Sequence, residues 1–254
     1  MAIVTLLTDF GDEDGFVGAL RGVLLSRAPD ARLADLAHHV PRGDVAKAAR
    51  VLARAAPCFP AGSIHLVVVD PGVGSDRRAV AVSAGGHRLV APDNGVIGLA
   101  LARLGPVDQA VEIDPSRLTT SRISSTFHGR DVFAPAAGAL AAGALLGDLG
   151  PPLDAPLRAG PPPAGAVVEV DAYGNLITDV PVGGPAALTL AGQTLYGPVR
   201  CYADVPVGAL VLVAGSEGTL EIAVREGSAA ERLGVGVGAP VACVPTPGER
   251  GFAP

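Results

Sequence analysis

The feature that most restricts the fold of this chain is a change of rhythm on either side of a proline-rich stretch at residues 150–163. Before it, from residue 2 to about 147, short β-rich runs alternate with helical patterns. Residues 3–8, 31–36, 64–69, 79–83 and 88–91 read as strands, and 15–27, 44–55, 95–104 and 132–146 as helices. In the first helix Phe16, Leu20, Val23 and Leu24 share one face, and Pro29 ends it. Such alternation predicts an α/β domain with a mainly parallel sheet flanked by helices, because parallel neighbours need a long crossover between them. After the prolines, helical signals nearly vanish, and short alternating strands separated by glycine turns predict a small β-barrel or sandwich. The expected domains are therefore 1–150 and 164–254, joined by a stiff linker at 151–163.

Charge and cysteine usage exclude several function classes. The net charge is −6, and Arg77 with Arg78 is a mere pair in an otherwise scattered set of arginines, so no nucleic-acid partner is expected. Cys58, Cys201 and Cys243 are far apart without CxxC spacing, and they read as reduced thiols. The N-terminal MAIVTLLTDFGDEDG has no basic leader. The apolar run 132–146 holds fifteen Ala- and Gly-rich residues, too few to span a bilayer. A cytoplasmic protein with no membrane partner is the expectation.

Three apolar strands of the first half end in an acid, at Asp9, Asp70 and Asp93. Ligands of open parallel sheets bind beyond the carboxyl ends of the strands, so these acids are expected to share a rim, although any one of them could serve as a cap. Shorter matches fail on context. Asp9, Phe10 and Gly11 spell a kinase metal triplet without the kinase's preceding elements, and Asp12, Asp14 and Gly15 lack the closing Glu of a calcium loop. Asp70, Gly72 and Gly74 lack the third glycine of a dinucleotide loop. More specific are four polar clusters that interrupt apolar stretches: VVVDPGVGSDRR from Val67, APDNG from Ala91, STFHGRDVFAP from Ser125 and VDAYGNLIT from Val170. Within the third, His128 precedes a helix expected to begin near Arg130 and can project from a loop into a cleft.

These four segments resemble the S-adenosylmethionine hydroxide adenosyltransferases, also called S-adenosylmethionine hydrolases, which share a fold with fluorinase and chlorinase. The resemblance runs from Thr8 to about Val244. It implies an N-terminal α/β domain, a C-terminal β-barrel, a homotrimer, and S-adenosylmethionine bound between the N-domain of one subunit and the C-domain of the next. S-adenosylmethionine is then the substrate, with no metal and no other cofactor. The family's hydrolytic Asp, Arg and His fall on Asp70, Arg77 and His128, and its ribose-holding acid on Asp9. Asn175 would bond adenine, Tyr202 would stack on it, Tyr173 would line the pocket, and Asp171 and Ser216 would hold the amino-acid end. Where the halogenases carry a halide-side Tyr and a fluoride-donating Ser, this chain has Asp70 and Gly129. Glu217 stands at a fluorinase Arg position, and Glu226 where that enzyme offers backbone contacts to adenine.

The expected reaction is attack of water on the ribose 5′-carbon, releasing adenosine and methionine, with Asp70 and His128 accepting hydrogen bonds from the water and Arg77 fixing the carboxylate. Two other functions are compatible with the residues: a phosphohydrolase using Asp9, Asp70 and Asp93 as magnesium ligands, and a nucleoside-binding protein without turnover. A methyltransferase is a more distant third.

Overall fold

The computed structural model describes residues 1–118, 123–161, 163–184 and 187–244. The chain divides into two compact units, residues 1–161 and 162–254, so the proline segment belongs to the first unit as far as residue 161.

The first unit contains a six-stranded sheet in the order β2-β1-β3-β5-β4-β6. Its strands are β1 (Ile3–Thr8), β2 (Arg32–Ala37), β3 (Ile64–Val68), β4 (Ala79–Ala84), β5 (His87–Pro92) and β6 (Val107–Glu112). Strands β2, β1, β3 and β5 are mutually parallel, while β4 runs antiparallel between β5 and β6. Helices α1 (Phe16–Arg27), α2 (Val45–Ala55), α3 (Gly98–Leu104) and α4 (Ala134–Ala141) cover it. Successive strand residues point to opposite faces. Leu6, Leu66 and Val68 thus join Leu20, Leu24 and Phe133 in one core, while Leu7, Val67 and Leu89 join Leu52, Ile97 and Ala100 in another. Burial on both faces explains why β1 and β3 are apolar at consecutive positions, broken only by the buried Thr5 and Thr8 and by His65. Asp44 caps α2, its carboxylate accepting from Lys47 N at 2.8 Å. Strand β6 was not expected: it is an edge strand with mostly exposed residues, VDQAVE, so the apolar signal is thin.

Three adjacent strands carry a buried polar chain whose histidines should make stability depend on pH. Thr5 Oγ1 lies 2.8 Å from His65 Nδ1, and His65 Nε2 lies 3.1 Å from His87 Nδ1. Desolvation, followed by repulsion from His87, pushes the pKa of His65 down to about 4. The folded pKa lies below the usual value of 6.5, so between those pH values the unfolded chain binds the extra proton. We expect stability to be complete above pH 6.5 and to fall by about 1.4 kcal/mol per pH unit down to about pH 4 for this group alone. Urea unfolding at a series of pH values checks this, and a midpoint unchanged between pH 7 and 5 would contradict it.

The second unit is antiparallel throughout its paired strands. Strands β7 (Val167–Val170), β8 (Leu176–Pro181), β11 (Leu210–Ala214) and β12 (Thr219–Val224) form one sheet in the order β11-β12-β8-β7. Strands β9 (Ala187–Leu190), β10 (Gln193–Tyr196) and β13 (Ala242–Val244) form a second, in the order β10-β9-β13. Among the described residues these are two separate sheets, not one closed ladder. Leu176, Leu188, Leu212, Leu220 and Ile222 fill the core, and a short α5 (Ala229–Leu233) packs on it.

Candidate active site

Beyond the end of β3, residues 70–78 form a loop that returns to β4 and carries an acid and a base seven residues apart. Arg77 Nε lies 3.0 and 2.9 Å from the two Asp70 oxygens, and Arg77 Nη2 donates to Asp70 Oδ2 at 2.5 Å. The two side chains are 9% and 5% exposed, so this is a nearly desolvated pair and its bonds are of the strong, charge-assisted kind. The guanidinium sits 5.1 Å from the centre of the Phe133 ring. Gly74 makes the loop's position possible: its φ is +79°, and a methyl group there would overlap the Ser125 carbonyl.

The same guanidinium reaches His128, whose Nδ1 lies 2.7 Å from Arg77 Nη2. His128 stands at the start of a π-helical turn, Gly129–Phe133, that leads into α4. Such turns widen a helix locally and recur at functional sites. Asp131 braces the loop before it by accepting from Ser124 N at 2.8 Å. Arginine carries no acceptor, so His128 Nδ1 must be the acceptor, and the neutral imidazole carries its hydrogen on Nε2. Desolvation and then the Arg77 charge hold the His128 pKa below its ordinary value, against the opposing pull of Asp70 and Asp131.

Asp70 and His128 line a cavity of about 960 Å³ together with Asp9 and the rings of Phe10, Phe16 and Phe127. Those rings meet edge to face with centroids 5.1–6.0 Å apart. Asp9 Oδ2 accepts from Gly43 N at 2.8 Å. Asp93 does not line this cavity, which corrects the expectation of three acids on one rim. It is 2% exposed and accepts from Arg78 Nε at 2.9 Å and from Arg158 N at 2.8 Å, while Arg78 also donates to the Pro156 carbonyl. Its carboxylate thus fastens the proline segment, and a magnesium set of Asp9, Asp70 and Asp93 does not assemble.

The remaining expected site residues lie in the second unit. Asp171 organises the turn between β7 and β8, its Oδ1 accepting from Tyr173 N and Asn175 N and its Oδ2 from Asn175 Nδ2 at 2.9 Å. Asn175 is buried and Tyr173 is 79% exposed. Tyr202 donates to Glu221 Oε1 at 2.6 Å, and burial, Glu221 and the Asp171 charge together raise its pKa. Ser216 is exposed and Glu217 half-buried in the turn between β11 and β12. Glu226 is exposed in a turn with a left-handed backbone, φ 56°.

Comparison with known proteins decides the family. Residues 4–150 match the model of the SAM hydroxide adenosyltransferase N-terminal domain, and residues 165–242 match that of its C-terminal domain. The chain belongs to the SAM hydroxide adenosyltransferase family. It is 43% identical to the (R)-S-adenosyl-L-methionine hydrolase of Thermus thermophilus, across 95% of this chain and 99% of that one. The protein of the same name from Salinispora arenicola is 41% identical, across 91% and 94%. A fluorinase from an Actinoplanes species is 25% identical, across 70% and 71%. Among solved structures, an uncharacterized conserved protein from Thermotoga maritima superposes with a TM-score of 0.84 at 33% identity, covering 95% of this chain and all of that one.

Three residues that hold or adjoin the expected site residues were missed from sequence. Asn94 donates from Nδ2 to the Val69 carbonyl at 2.9 Å and accepts from Val96 N, which ties the end of β3 to the end of β5 just before Asp70. The APDNG motif marked this place, but nothing in it named the partner. Asp131 is hidden inside the STFHGRDVFAP motif. Glu221 gave no signal at all, since a lone acid in TLEIAV reads as a solvent-facing strand residue although it is 7% exposed.

Proposed function

We propose that this chain hydrolyses S-adenosyl-L-methionine at the ribose 5′-carbon to adenosine and L-methionine. The observation that carries the reading is the half-buried Asp70–Arg77–His128 chain, in which Asp70 and His128 line the cavity and Arg77 joins them, in a family whose relatives are named hydrolases of this sulfonium. Carbon–oxygen bond formation at the 5′-carbon accompanies carbon–sulfur cleavage, and the electron pair leaves with methionine. Asp70 accepts the proton of the attacking water and passes it to solvent.

The tautomer of His128 changes its part from the one expected. With Nδ1 taken by Arg77, His128 cannot accept from the water; it donates from Nε2–H to one oxygen lone pair and leaves the other aimed at carbon. Arg77 anchors both partners by donating to Asp70 and to His128. Asp9 holds the ribose hydroxyls. In the trimer we infer, Asn175, Tyr173 and Tyr202 meet adenine and Asp171 with Ser216 meets the amino-acid end, while Glu217 and Glu226 lie at the margins. Among the described residues no helix is long and apolar enough to cross a membrane, and the three cysteines are free. We infer a cytoplasmic enzyme, a reading that the three free thiols support.

Incubating the pure protein with each sulfur epimer of the substrate and separating the products tests the reading. Equal amounts of adenosine and methionine are expected, faster from the R epimer and unchanged by a chelator. Absence of both products would leave a binding protein, and loss of turnover in chelator would favour metal-assisted hydrolysis. A pH series tests the role of His128. The neutral form is active and its pKa is lowered, so activity should hold from pH 8 down to about 6.5 and fall only below that. An acid limb centred above pH 7 would contradict the assignment.

A further inference from the structure

We propose that His38 is a positioning residue for Asp9: a one-way hydrogen-bond chain through Thr8 and His38 holds the strand end that presents Asp9 to the ribose. The inference rests on the reading that Asp9 meets the ribose hydroxyls. His38 directly follows β2, the parallel neighbour of β1, and its side chain is 6% exposed. Its Nδ1 lies 2.9 Å from Thr8 Oγ1, and its Nε2 faces Asp35 Oδ1 at 3.0 Å without completing a hydrogen bond. Asp35 also pairs with Arg21 on the surface.

Every direction in this chain follows from chemistry. A carboxylate offers only lone pairs, and a bare imidazole nitrogen facing it at that distance would be repelled, so Nε2 carries the hydrogen. In the neutral ring with that hydrogen the lone pair is on Nδ1, and the Thr8 hydroxyl donates to it. The Thr8 oxygen in turn accepts from Phe10 N at 3.3 Å. Polarity therefore runs from Phe10 N–H through the Thr8 hydroxyl to His38 Nδ1, with the far ring nitrogen facing the Asp35 carboxylate at 3.0 Å, and bonds aligned this way strengthen one another.

The sequence hydroxyl, imidazole, carboxylate looks like a nucleophilic triad, but it cannot serve as one. Thr8 is fully buried, and its oxygen already accepts from Phe10 N. What the chain controls is the backbone on either side of Asp9. Phe10 N is held through the His38 side chain, and Gly11 N donates to the His38 carbonyl at 2.8 Å. Asp9 Oδ2 is held by Gly43 N, which leaves Oδ1 for a ligand. None of these groups belongs to the Asp70–Arg77–His128 chain, so His38 should act on ribose recognition and little on the chemical step.

The test compares kcat/KM for S-adenosylmethionine with that for its 2′-deoxy and 3′-deoxy analogues. In the unaltered enzyme the deoxy analogues should be disfavoured, and Asp9→Asn should remove most of that preference. His38→Leu should shrink the preference by roughly tenfold, the worth of about one charge-linked hydrogen bond, while kcat at saturation changes by less than about threefold. His38→Asn keeps an acceptor for Thr8 and should restore most of the preference. Asp35→Asn, which keeps the fold but removes the terminal charge, should reduce the preference by roughly threefold, and Arg21→Ala should leave it unchanged. A His38→Leu enzyme of lower melting temperature but unaltered preference would overturn the proposal while sparing the Asp9 reading. If that variant does not fold, an unaltered preference in both His38→Asn and Asp35→Asn would overturn it, and a reduced preference in Asp35→Asn supports it. An unaltered enzyme that ignores the ribose hydroxyls would overturn the Asp9 reading and this proposal together.

Discussion

Replacing Asp70 with asparagine should lower kcat by roughly 10²–10⁴-fold, the range typical of a lost general base. Asparagine has nearly the same shape, so the loop and the cavity remain. What goes is the proton acceptor: an amide oxygen accepts a hydrogen bond but does not take a proton near neutral pH. The change also leaves Arg77 without its counter-charge in a site where the guanidinium is 9% exposed, so a fall in melting temperature should accompany the lost activity. Circular dichroism and calorimetric binding of substrate separate the two effects. A folded Asp70→Asn enzyme that still binds substrate but turns over near the normal rate would remove Asp70 from the chemistry. Arg77→Lys should be impaired as well, because an ammonium cannot make the forked contact with Asp70 and also reach His128 Nδ1.

Supplied with chloride or fluoride in large excess, the enzyme should still make adenosine and no 5′-halo-adenosine, with oxygen-18 from labelled water at the 5′-position. A halide must shed its hydration shell to enter the cavity, which requires donors to replace the lost bonds. The Asp70 carboxylate offers the opposite. Two like charges about 4 Å apart repel by about 4 kcal/mol at an effective dielectric of about 20, roughly a thousandfold in occupancy before any offset from Arg77. Water meets no such penalty and donates to the same carboxylate. Gly129 adds a steric barrier to conversion, because a side chain there would meet Leu20 and Val68 methyl carbons at 3.3 Å and the Phe10 ring at 3.4 Å. Introducing a hydroxyl donor by Gly129→Ser would therefore crowd the wall before it recognised an ion. Halogenated nucleoside formed at a rate comparable to adenosine would overturn the assignment and move the chain toward the fluorinases among its relatives.

Local rhythm determined a good deal by itself. The span expected for the first strand, 3–8, coincides with β1, and the helix expected at 44–55 is α2 with Asp44 as its cap. The α/β class followed from the same periodicity, because burial on two faces writes itself into consecutive apolar residues. Asp70, Arg77 and His128 were legible through the motifs that carry them. Their mutual arrangement was not, since the bond from Arg77 to His128 joins residues 51 apart and exists only where the β3–β4 loop meets the turn before α4. That contact also bears on the hydrogen-bonding part we propose for His128, which depends on which ring nitrogen the arginine occupies. Asp70 and Asp93 look alike in sequence, each an acid closing an apolar run. The strand order β3-β5-β4 set one beside Arg77 and the other beside Arg78 and the proline segment. Periodicity is a property of neighbouring residues and survives in the sequence, whereas the choice of partner for a charge is made by distance in space, and only the packed chain has that.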